Sequence, residues 1–180
     1  MRSMTELKDM EAHAEKLLGQ LAAESKYLDD LKKEVLKEIY DLDHGLFDKA
    51  EKDLKDEEKI VRRSLGRTER YVNREEKKEE DDVKELEGCL PAKLVKVLKD
   101  IDTKLHVGLN TLVQGLSRSR GKLRQDIDEA KKLFTAKDNA GAKAKADATV
   151  KDIDYILKMV WGTEVEEKKY IQFLKYLETL

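Results

Sequence analysis

Arginine is the residue type whose placement here points most directly to chemistry. All arginines but Arg2 fall in two short segments: Arg62, Arg63, Arg67, Arg70 and Arg74, then Arg118, Arg120 and Arg124 around Lys122. Arg63, Arg67, Arg70 and Arg74 recur at helical spacing and share one face. None of these four has an acidic residue three or four positions away on its own segment, in a chain with 39 Asp and Glu. A guanidinium is a planar fork that matches phosphate or carboxylate. The pattern predicts a site for a polyanion or an acidic partner helix built from Arg63, Arg67, Arg70, Arg74, Arg118, Arg120 and Arg124, with Tyr71 beside it for stacking. The plainer alternative is a solvated face whose arginines pair with carboxylates on neighbouring helices.

Other chemistry is sparse. The histidines are His13, His44 and His106. A carboxylate-bridged dimetal bundle needs Glu-x-x-His pairs from two helices and a further glutamate from each of the other two. The nearest pattern here is Asp41-x-x-His44, which lies at a turn, so the spacing predicts no metal site and no cofactor. The chain has no zincin, phosphate-loop, dinucleotide or nucleophile-elbow motif. The acidic run Glu75 to Asp82 lacks the glycine and alternating ligands of a calcium loop. Cys89 is the single cysteine, which excludes an internal disulfide and any CxxC motif. Solvated charges and narrow aliphatic seams predict a protein that is not an enzyme.

Glycines raise one more possibility. Gly19, Gly66, Gly108 and Gly162 lie inside helical pattern, where each costs about 1 kcal/mol relative to alanine. Folding the chain at its turns brings them to similar height, together with Trp161. They predict either close packing around the indole or a mid-bundle pocket formed by Trp161, Gly162, Gly108, Gly66 and Gly19.

The elements that must position these residues are legible in the apolar spacing. Apolar residues make up 39% and charged residues 42%, with a net charge of −2, a balance that suits narrow apolar stripes on long helices. The first stripe is Leu7, Met10, Ala14, Leu17, Leu21, Leu28, Leu31, Val35 and Leu42. The second is Ala50, Leu54, Val61, Leu65, Thr68, Val72, Val83 and Leu86. The third is Leu94, Leu98, Ile101, Leu105, Leu109, Leu112, Leu116, Leu123, Ile127, Ala130 and Phe134. The fourth is Ala142, Ala146, Val150, Ile153, Leu157 and Val160, resuming at Ile171, Leu174 and Leu177. Residues 73–82 hold no apolar residue and read as a solvated helix or a frayed segment. Ser3 with Glu6, and Asp48 with Glu51, read as capping boxes. Gly45, Gly88-Cys89-Leu90-Pro91 and Asp138 to Gly141 read as turns.

These signals predict helices over about 4–43, 46–87, 91–137 and 142–180 in one domain spanning 1–180. Helices of about 40 residues, about 60 Å each, joined by short turns predict an all-α, elongated, antiparallel up-down-up-down four-helix bundle with coiled-coil-like seams. Continuing the fourth stripe lands on Glu164 and Glu167, which predicts a kink or break near Gly162, with Thr163 capping a fresh helix. No run approaches the roughly 18 apolar residues of a membrane span, and the expected location is cytoplasmic. The function expected from this set is a non-enzymatic interaction or scaffold protein that binds a protein partner, or itself, through helix faces. A polyanion-binding module for nucleic acid or an anionic membrane surface is the alternative, and a small-ligand sensor at the glycine level the third.

Overall fold

The structure, a computed structural model, describes residues 3–180, with 64–69 described as backbone only. Its described residues form four α-helices: α1 (Met4–Asp43), α2 (Phe47–Cys89), α3 (Ala92–Thr135) and α4 (Asn139–Glu178). None of them is long and apolar enough to cross a membrane.

The helix ends follow from local chemistry. At the start of α1, the Glu6 backbone N–H donates to Ser3 Oγ at 3.2 Å. After α1, Gly45 takes φ +70, and the Leu46 and Gly45 amides bond back to Asp41 O and Leu42 O at 2.8 and 3.3 Å. That is a Schellman closure, which needs a left-handed residue and favours glycine. The same closure ends α3, where Asp138 N reaches Leu133 O and Lys137 N reaches Phe134 O. There the left-handed residue is Lys137, at φ 57. Asp138 then caps α4 by accepting from Gly141 N at 2.9 Å. Asp48 does not cap α2, which already begins at Phe47; its carboxylate lies in the first turn, where it complements the helix dipole.

Contacts divide the chain into two compact units. The first holds residues 1–23, 68–113 and 159–180, the second 24–67 and 114–158. In the first unit, α1 meets α2 through His13–Asp82 at 2.8 Å and Lys16–Glu75 at 3.7 Å. There α2 meets α3 through Glu76–His106 at 3.2 Å, and α4 meets α1 through Lys175–Glu11 at 3.6 Å. The α3–α4 contact is close: a methyl added at Gly108 would stand 3.5 Å from Thr163 Oγ1. In the second unit the corresponding links are Lys37–Asp53, Lys131–Glu58, Lys122–Asp152 and Lys32–Asp154. Each unit is thus a helical bundle segment in which α1 touches α2 and α4, and α3 does the same.

The apolar stripes face inward, but their gaps hold the main finding. Leu21 and Leu28 bracket Glu24, Val35 and Leu42 bracket Glu38, and Leu54 and Val61 bracket Glu57, each acid at most 2% exposed. Between Val72 and Val83 the core positions are Glu75 and Glu79, at 1% and 4%. Residues 73–82 are therefore helical but not fully solvated, because Glu75 and Glu79 continue the buried face at spacings of three and four. The same holds in α4, which runs without a break from Asn139 to Glu178. Its buried face passes through Thr163, Glu167 and Tyr170, and Glu167 is 0% exposed. Thr163 does not cap a new helix; its hydroxyl donates to Met159 O at 2.8 Å within α4. The expected stripe positions Leu65 and Thr68 lie outside the residues whose side chains are described.

Candidate functional site

The arginines are distributed over both units. In the second unit Arg63, Arg118 and Arg124 are exposed and Arg120 is half-buried. Arg62 pairs with Glu58 at 2.6 Å. A groove of about 290 Å³ there is lined by Arg62 and Arg124, but also by Glu58 and Asp128, so its charge is mixed. In the first unit Arg70 and Arg74 are exposed, and Arg74 lies over the Tyr71 ring at 5.1 Å. Among the described residues no ion pair reaches Arg63, Arg70, Arg118 or Arg124. The side chain of Arg67 lies outside the described residues.

Among the described residues, Trp161 and the glycines at its height do not share one buried face. Trp161 is 49% exposed. Gly19 and Gly162 are on exposed faces, and a methyl added at either would meet nothing within 4 Å. Gly108 makes the α3–α4 approach to Thr163, while Gly66 lies outside the residues whose side chains are described. The reason is rotational: Trp161 follows the core residue Val160 by one position, about 100° around the helix. Similar height along a bundle does not place residues on the same side.

The chemistry that sequence reading missed lies inside the seams. In the second unit Glu57 is buried against Glu38, and Asp53 against Asp41. Burial first, then the hydrogen bond and negative charge of Glu38, push the Glu57 carboxyl up to about 11. Burial and Asp41 push Asp53 up to about 7, against the pull of Lys37. Glu34, Asp53 and Asp56 also bring one oxygen each within 4.8 Å of one another. Lysines answer this charge: Lys37 stands 3.5 Å from Asp53 and Lys59 4.0 Å from Asp56.

The first unit buries an acidic group of its own. Glu79 (α2) and Glu167 (α4) are in carboxyl–carboxyl hydrogen-bond contact, and among the described residues no other protein donor reaches either. Burial raises both, Glu79 well above the usual carboxylate range and Glu167 to about 7. Asp82 (α2) and Asp102 (α3) add their charge to Glu79. Tyr170, 0% exposed, feels all four carboxylates, and its buried hydroxyl has no hydrogen-bond partner. His13 pairs with Asp82 on one side and His106 with Glu76 on the other. Among the described residues no lysine or arginine pairs with Glu79, Asp82, Asp102 or Glu167, although Lys16 and Lys78 reach the nearby Glu75. The signal is present in the sequence as interruptions of otherwise regular apolar stripes, each filled by an acid at the core spacing.

Comparisons with protein-family models, with curated proteins and with solved structures give no match.

Proposed function

We propose that this chain is a non-enzymatic helical interaction protein of the cytoplasm that associates through a helix face, with a second copy of itself or with a partner helix. The observation that carries this reading is the outer face of α4 in the first unit. Trp161, Val165 and Tyr176 are 49%, 51% and 50% exposed, and their spacing puts them on one side of the helix, opposite Thr163, Glu167, Tyr170 and Leu174. Tryptophan and tyrosine are the side chains that most often anchor an interface. The reading takes the four helices as an up-down-up-down bundle with coiled-coil-like seams, supported by three short turns. It takes α4 to bend at Gly162, supported by the back-bond of Thr163, a contact that bends helices.

Light scattering over a micromolar-to-millimolar series tests it. Mass is expected to rise with concentration, or with added partner, while Trp161 emission shifts to shorter wavelength. Trp161→Ala with Val165→Asp is expected to weaken association by about 2 kcal/mol or more, leaving the helical circular dichroism unchanged. A wild type that stays monomeric at every concentration and captures no partner in native extracts removes this reading.

A polyanion-binding module is the second reading, favoured by the exposed arginines that carry no ion pair among the described residues. Binding to mixed-sequence RNA or to anionic vesicles is then expected to fall steeply with salt. Arg70→Glu with Arg74→Glu is expected to lower the salt slope by about one for each phosphate no longer neutralised. Unchanged affinity in that variant rejects the reading.

A further inference from the structure

We propose that the outer face of α4 in the first unit, with the adjoining rim of α3, docks on the surface of an anionic lipid bilayer. This use goes beyond helix–helix association. Among the described residues, the exposed charges of α4 in that unit are Lys168, Lys169 and Lys175, with no exposed acid. On α3 they are Lys93, Lys96, Lys99 and Lys104 against Asp100 alone. The other two helices of the unit are mixed, with Glu15, Glu80, Asp81 and Glu85 exposed among their basic residues. Lys169 pairs with Glu166 and Lys175 with Glu11. Among the described residues no ion pair reaches Lys93, Lys96, Lys99, Lys104 or Lys168.

Helix geometry gathers large side chains onto the same basic face. Trp161, Val165 and Tyr176 are exposed, and with Lys168 they span only about 80° around α4. The link to α3 runs through Gly108, where an added methyl would stand 3.5 Å from Thr163 Oγ1 of α4. Val97 and Lys104 lie within about 40° of Gly108 around α3, so both flank α4. Val97 is exposed as well.

The residue types choose the partner. Tryptophan and tyrosine serve protein and lipid interfaces alike, whereas lysine is depleted at the first and accompanies them at the second. Arginine, the usual choice for bidentate recognition of nucleic-acid phosphate, is absent from α3 and α4 within this unit. What remains is diffuse positive charge beside amphipathic rings of the kind that sit at headgroup level. None of the four helices is long and apolar enough to cross a bilayer, so the contact is peripheral. Each lysine held near anionic lipid is worth about fivefold in affinity.

The test mixes the full chain with phosphatidylcholine vesicles that contain either no phosphatidylserine or about 30% of it. It reads flotation and the emission of Trp161, the single tryptophan. Flotation with the anionic vesicles alone is expected, with Trp161 emission moving to shorter wavelength and both effects fading as salt rises. Lys104→Gln with Lys168→Gln is expected to lower vesicle affinity by at least about tenfold, with helical circular dichroism unchanged. Arg70→Gln with Arg74→Gln, on α2, is expected to leave it within about twofold. No flotation with anionic vesicles overturns the proposal. So does flotation that survives the lysine substitutions, or that is lost with the arginine pair instead. Tighter binding of mixed-sequence RNA through Lys104 and Lys168 overturns it too, and assigns the face to nucleic acid. Light scattering without lipid reads self-association separately: a chain that associates but does not float loses this proposal alone, and one that floats as a monomer supports it.

Discussion

Raising the pH from 5 to 8 is expected to lower the melting temperature by about 10 °C. Many proteins are instead most stable near neutrality, because their paired carboxylates are best ionised. Here the dominant carboxylates of the second unit are shifted the other way. Burial and Asp41 lift Asp53 from the ordinary 3.8 to about 7, and burial and Glu38 lift Glu57 from 4.5 to about 11. A raised carboxyl binds its proton more firmly when folded than when unfolded. Below the ordinary value both states are protonated and the raised pKa contributes nothing. Above it the unfolded chain ionises first, so stability falls with pH until the folded group ionises too. For Asp53 that window runs from about 4 to about 7, and for Glu57 it covers the whole interval from pH 5 to 8.

Opposing groups do not cancel this effect. Glu58 is lowered by its bond to Lys131, and Glu129 by its bond to Lys145; their stabilisation is already complete at pH 5. Lys37, Lys122, Lys143 and Lys145 are raised above the ordinary lysine value, so their contribution is lost only at strongly alkaline pH. A tenfold change in proton affinity between the folded and unfolded chain is worth about 1.4 kcal/mol. Allowing for partial solvation, the net loss is about 3 kcal/mol, and each kcal/mol moves the melting temperature by about 2–4 °C at this chain length. Melts followed by circular dichroism at constant ionic strength, with chelator present, measure it. A melting temperature that is flat or rises between pH 5 and 8 contradicts the buried-acid account.

The helical frame is legible because apolar spacing and turn chemistry are local signals. Gly45 reads as a left-handed turn and takes that conformation; Ser3 reads as a cap and accepts from Glu6 N. The inward stripe of α1 runs through Leu7, Leu17, Leu28 and Leu42 as its spacing requires. What cannot be read locally is how a stripe crosses its polar gaps. A glutamate at a core position looks the same in sequence as a glutamate at a break. At Glu167 the break is the natural reading, since an unpaired buried carboxylate is costly. Only the opposed helix shows that Glu167 meets Glu79, an acid in the same predicament. The arginines illustrate the reverse limit. Their shared face is visible in the spacing, as is the i,i+4 pairing of Arg62 with Glu58 within α2, but that Glu58 of α2 lines a groove with Arg124 of α3 depends on which helices adjoin. Height along the bundle suggests an inward Trp161, whereas rotation about α4 exposes it.

Replacing both Glu38 and Glu57 by leucine is expected to stabilise the protein by about 2–4 kcal/mol at pH 8 and to remove much of its pH dependence. Both side chains are buried, at 1% and 2%, at positions that complete the stripes Val35–Leu42 and Leu54–Val61. Leucine has nearly the volume of glutamate, so overpacking is small, and buried ionisable groups replaced by apolar ones of similar size are often neutral or stabilising by about 1–4 kcal/mol. At pH 8 folding must either protonate Glu57 or bring its charge against Glu38, and the double substitution removes that requirement. Single substitutions are expected to gain less than half as much each, because the remaining acid is then buried against a hydrocarbon wall without the shared proton. The resulting coupling between neighbours is what a double-mutant cycle reads. Chemical denaturation at pH 5 and pH 8 separates the two contributions. A gain at pH 8 that shrinks at pH 5 means these acids are held in the seam against stability, and so are retained for something other than folding. A double variant less stable than the parent at pH 8 means the Glu38–Glu57 pair is itself a structural contact, and the large upward displacement of the Glu57 pKa is then the wrong description of the seam.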